Sequence, residues 1–99
     1  MNQSIIIKSL KENKDELKDK YQILRIGLFG SYSKGTATES SDIDLIYVLE
    51  EKAKIGLKEL YDLEEYFKEL FNIEKVDLIN SKYINPVVNE EIKNTIIYV

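Results

Sequence analysis

From Ile23 to Phe29 the chain is almost continuously apolar and rich in branched residues; Arg25 interrupts the run and Gly30 stops it. This pattern predicts a strand with Arg25 turned outward. Ile43 to Leu49 predicts a second strand. Lys75 to Asn80 predicts a third, with Asp77 in its middle between Val76 and Leu78. The helical period appears first between Asn2 and Lys20, where Ile6, Leu10 and Leu17 recur among lysines and acids. One amphipathic helix lying over a sheet face is expected there. In Leu57 to Phe71, Leu57, Leu60, Tyr61, Leu63, Tyr66, Phe67, Leu70 and Phe71 sweep an arc of roughly 220° on a helix. That is wider than one sheet face requires. Either the helix is well buried with its tyrosine hydroxyls at the edges, or part of the arc, around Tyr61, meets a partner protein. Asn85-Pro86 opens a last helix, asparagine suiting the cap and proline the first turn. Ile96 to Val99 is expected to pack down as a short strand. Thr36 to Ser41 and Glu50 to Lys54 read as exposed connections.

Composition narrows the class. With 99 residues, 43% of them hydrophobic, the chain can bury one core and is too short for two ordinary ones. A single domain over 1–99 is expected. No window approaches the roughly 18 consecutive apolar residues of a membrane span, and no basic region followed by an apolar segment opens the chain, so a soluble, cytoplasmic protein is expected. The absence of cysteine and histidine removes disulfides, thiol nucleophiles, Cys/His zinc sites and Ser/His/Asp triads. A net charge of -4 argues against an extended nucleic-acid groove, and a small anionic ligand would need a local cation.

The chemistry concentrates between Gly30 and Leu45. A glycine ending a strand lets the backbone approach a phosphate, the amides of a following helical turn bind anions, and Ser31 adds a hydroxyl donor. Ten residues after Gly30-Ser31 come Asp42 and Asp44. In a strand these two would share one face while Ile43 and Leu45 take the other, and two carboxylates on one face can share divalent cations. Taken alone, Gly30-Ser31 is an ordinary turn and each aspartate an ordinary polar residue at a strand entrance. The combination carries the signal. A P-loop is excluded because Thr36 stands where it needs lysine, and a calcium loop because Ile46 stands where it needs a polar residue. Asp77, costly to bury inside an apolar strand without a partner, either shares a metal with Asp42 and Asp44 or faces water on an edge strand.

Gly-Ser, ten residues, Asp-x-Asp and a later acid on a third strand resemble the nucleotidyltransferase superfamily that includes DNA polymerase beta. In length and layout the chain is similar to the minimal nucleotidyltransferase (MNT) domains. The resemblance implies an α/β fold with a mixed sheet, here of three strands, packed with helices. It implies that Gly30 and Ser31 hold a triphosphate, that Asp42 and Asp44 bind metals, and that Asp77 completes the metal site or helps activate the acceptor. Lys34 stands before Gly35 where the family often has arginine, which keeps the charge but loses bidentate phosphate contact. The implied reaction, assisted by two magnesium ions, moves AMP from ATP to a hydroxyl. Similar MNT proteins are commonly antitoxins paired with HEPN ribonuclease toxins, so a toxin tyrosine is the leading acceptor. The alternative is a binding module that neutralises its partner by contact alone. Transfer to a small hydroxylated molecule is a weaker third reading.

Overall fold

A computed structural model describes residues 1–99. The elements run α1 (Gln3–Glu12), α2 (Lys14–Tyr21), β1 (Ile23–Phe29), α3 (Ser31–Lys34), β2 (Ile43–Leu49), α4 (Leu57–Phe71), β3 (Val76–Asn80), a 3-10 turn (Ser81–Tyr83), α5 (Pro86–Ile92) and β4 (Ile97–Tyr98). The strands form one mixed sheet in the order β3-β2-β1-β4. β1 and β2 pair antiparallel, with Phe29 opposite Asp44. β2 and β3 pair parallel, with Asp44 opposite Asp77, and α4 makes the crossover that a parallel pair requires.

The sheet has four strands where three are expected. The fourth is the C-terminal apolar run, which pairs antiparallel along the free edge of β1 through Gly27 opposite Tyr98 and Leu28 opposite Ile97. Two residues are too few to show an alternating pattern, but they cover an edge that would otherwise present unpaired amides and carbonyls.

Helices cover both faces. On one, Ile6, Leu10 and Leu17 from α1 and α2 and Leu63, Phe67 and Phe71 from α4 pack against Ile26, Leu28, Ile43, Leu45 and Tyr47. On the other, Ile92 of α5 meets Phe29 and Ile46. The register skips Leu24 between Ile23 and Arg25, so this bulge lets both Ile23 and Ile26 reach the core. Arg25 is exposed as expected, its guanidinium 3.9 Å from the centroid of the Tyr98 ring.

The single N-terminal helix expected from the periodicity is instead two. Asn13 leaves helical geometry at φ -105°, ψ 7°. Its Nδ2 donates to Ser9 O at 2.7 Å, and its Oδ1 accepts from the Tyr66 hydroxyl at 2.8 Å. Asparagine competes with the helix for backbone partners, and here a tyrosine from α4 fixes the outcome. α4 has the expected bounds but not full burial. Leu63, Phe67 and Phe71 face the core, while Leu57 and Tyr61 are 89% and 61% exposed.

Candidate active site

β1 ends in a turn that needs glycine twice over. Gly30 has φ +76°, ψ -153°, and a Cβ there would overlap Asp44 Oδ2. The one-turn helix α3 follows, closed by Lys34 N donating to Gly30 O at 3.2 Å and Thr36 N donating to Ser31 O at 3.0 Å. The Ser33 hydroxyl also donates to Gly30 O, at 2.9 Å. Lys34, the last residue of α3, is exposed. The connection to β2 is held by its own hydroxyls, with Thr38 N donating to Ser41 Oγ at 2.8 Å and Ser41 N to Thr38 O at 3.0 Å.

The register puts Phe29, Asp44 and Asp77 in one row across the sheet, on the face that α5 partly covers. Gly30 abuts Asp44, so the turn and the two carboxyls meet at one point. Burial raises the Asp44 carboxyl to about 6, helped by a hydrogen bond shared with Asp77 and by the charges of Asp77 and Asp42, with Lys75 opposing.

Asp42 stands apart. It precedes the first residue of β2, is exposed, and lies 3.4 Å by Oδ2 from Lys75 Nζ. The structure thus brings together Gly30, Ser31, Asp44 and Asp77 and turns Asp42 toward a lysine, so the acids form no cluster of three that could hold a metal ion as they stand. A cavity of about 1020 Å³ opens on Asp42 and Lys75 and is lined also by Tyr32, Ile43, Phe71 and Asn72, but not by Gly30, Ser31, Asp44 or Asp77. Lys75 and Gln3, whose Nε2 donates to Tyr32 O and Ser33 O at 3.0 Å each, were not marked by any sequence motif. Both act through partners distant along the chain.

Comparison with known proteins places this geometry in a family. The chain is 43% identical over 91 residues to MJ1379 of Methanocaldococcus jannaschii, whose name assigns it provisionally to the protein adenylyltransferases; the match covers 91% of this chain and 90% of that one. It is 32% identical over 90 residues to the protein adenylyltransferase MntA of Thermococcus cleftensis, covering 91% and 88%. Among solved structures, one provisionally described as a minimal nucleotidyltransferase superposes with a TM-score of 0.75 at 25% identity, covering 98% of this chain and 95% of that one. The complex of a tri-AMPylated Shewanella oneidensis HEPN toxin with its MNT antitoxin shares the fold, with a TM-score of 0.60 at 22% identity and coverage of 98% and 67%. No helix is long and apolar enough to cross a membrane. The family model for the nucleotidyltransferase domain matches residues 10–99, and the chain belongs to that family.

Proposed function

We propose that the protein transfers AMP from ATP to a tyrosine hydroxyl of a HEPN-type toxin and thereby acts as its antitoxin. The observation that carries this reading is the Asp44–Asp77 pair set against the Gly30 turn, in a chain that matches proteins named as protein adenylyltransferases along nine-tenths of its length.

The acids suit magnesium in type, since it takes hard oxygen ligands and is commonly bound through one or two carboxylates together with substrate phosphates. Asp44 and Asp77 fit in placement as well, because a cation between them would offset the burial and the acid-acid repulsion that together raise Asp44. Asp42 completes the set by leaving Lys75, an exposed ion pair worth at most about 1 kcal/mol. Magnesium ions, when bound, supply positive charge to the attacking and leaving oxygens.

Gly30 and Ser31 hold the triphosphate, Lys34 adds a positive charge beside it, and Asp42, Asp44 and Asp77 are the metal ligands. The acceptor oxygen forms a bond to the α-phosphorus as the bond from that phosphorus to the departing pyrophosphate breaks. Asp77, on the edge strand β3, completes the metal site or takes the hydroxyl proton. Positioning and charge do the catalytic work, as in phosphoryl transfer generally.

The test is incubation of the protein with α-labelled ATP, magnesium and a co-expressed HEPN-type partner. Label on a partner tyrosine is expected. A second reading, neutralisation by contact alone, is favoured by the exposure of Leu57 and Tyr61 on α4. An Asp44→Asn variant that still neutralises the partner without incorporating label selects that reading.

A further inference from the structure

The turn that carries Gly30 and Ser31 reaches the core through one side chain, the half-buried Tyr32 of α3. α3 contributes no fully buried residue, so hydrogen bonds share in fixing its position. A helix of one turn cannot satisfy its own carbonyls. Gly30 O accepts from Lys34 N and the Ser33 hydroxyl, and Ser31 O accepts from Thr36 N. The next two, Tyr32 O and Ser33 O, are both taken by the side-chain amide of Gln3, at 3.0 Å each.

Gln3 is itself well anchored. It is the first residue of α1, whose cap is formed by Asn2 Oδ1 accepting from Ile5 N at 3.0 Å, and whose Ile6 and Leu10 are fully buried. The turn is thus gripped from two sides, by Asp44 against Gly30 and by Gln3 against Tyr32 and Ser33. Gln3 lies outside residues 10–99, the stretch that matches the family model.

We propose that Gln3 is a positioning residue that holds the Gly30–Lys34 turn at its working distance from the Asp44–Asp77 pair and so sets the affinity for the nucleotide. This rests on the nucleotide reading of Gly30 and Ser31 given above. Because Gln3 acts on the turn through hydrogen bonds while Tyr32 keeps its contact with the core, losing Gln3 loosens the turn locally and leaves global stability nearly intact.

Gln3→Met keeps the side-chain length and removes the donor. Gln3→Glu, at neutral pH, keeps the shape and points an acceptor at two carbonyl oxygens. In the full chain, three quantities are compared with the parent: backbone amide exchange by NMR, binding of AMP-PNP in the presence of magnesium by calorimetry, and the melting temperature. For both variants the Lys34 and Thr36 amides are expected to exchange about tenfold faster, the worth of one to two hydrogen bonds. AMP-PNP affinity is expected to fall by a similar factor, while core-strand exchange and Tm stay close to the parent. Unchanged exchange at Lys34 and Thr36 overturns the proposal, as does faster exchange with undiminished AMP-PNP affinity. Acceleration throughout the sheet with a falling Tm overturns it in favour of a merely structural role. Parent protein that binds no AMP-PNP overturns the nucleotide reading, and the positioning role falls with it; the exchange data, which need no nucleotide, tell that failure from the others.

Discussion

Replacing Asp44 with asparagine separates the charge of its side chain from its shape. In the unfolded chain the carboxyl ionises near its ordinary 3.8, and in the folded chain near 6, because burial and Asp77 disfavour the charge. Below 3.8 it is neutral in both states and imposes no penalty. Between the two values the folded state binds the proton more tightly, so stability falls as pH rises, and above about 6 the full penalty is present. Metal-free Asp44→Asn is therefore expected to melt a few degrees above the parent at neutral pH, with the advantage disappearing as pH falls through the interval toward 4. The same variant is expected to transfer no AMP, since what it loses is charge at the reacting phosphate. Thermal melts across pH and label incorporation check the two halves, and a folded variant with near-normal transfer sinks the metal-ligand assignment.

The junction of α1 and α2 depends on one side chain. Burial, with Glu16 beside it, pushes the Tyr66 hydroxyl up to about 12, so it stays protonated and donates to Asn13 Oδ1 at 2.8 Å. Asn13→Ala is expected to cost about 1–2 kcal/mol in urea unfolding with an unchanged m-value, as the half-buried hydroxyl loses its main acceptor. Stability equal to the parent's counts against this account of the break. The break was not legible in the sequence because Ile6, Leu10 and Leu17 keep the spacing of one continuous helix across Asn13. What sets it is a tyrosine much further along the chain. β1, β2 and α4 match their expected bounds, because long apolar runs with glycine or charged borders leave few alternatives. The spacing of the motif made it legible that acids face the Gly30 turn, with Asp42 and Asp44 expected there together; the structure brings Asp44 alone to the turn, and its row with Asp77 depends on the parallel register of β2 and β3. The Lys75 partner of Asp42, the grip of Gln3 and the pairing of the C-terminal run with β1 depend on contacts that no local pattern encodes, although the run itself was expected as a short strand.

Taken together, the turn and the carboxyls predict a linked response to ligands. Magnesium with ATP is expected to raise Tm more than either alone, since a ligand that binds only the folded state adds about 2.7 kcal/mol at a hundredfold excess over Kd. No shift with both in large excess counts heavily against a nucleotide site. On the far side of α4, Leu57→Ser with Tyr61→Ser is expected to leave the isolated protein's stability within about 0.5 kcal/mol, because neither side chain belongs to the core. If this face contacts the toxin, the double variant loses neutralisation; retained neutralisation removes it from the interface. The parallel register of β2 and β3 bears also on the order of folding. β1 and β2 can pair early as neighbours in sequence, but Asp77 reaches Asp44 only after α4 has completed the crossover between β2 and β3. The mutual repulsion of the two acids is thus deferred until β3 joins β2, where it is expected to slow closure or hasten opening. If the two acids hold magnesium beside a nucleotide, a refolding chain is expected to gain its capacity for nucleotide no sooner than β3 amides become protected, and an excess of magnesium is expected to shorten the interval between hairpin and finished sheet.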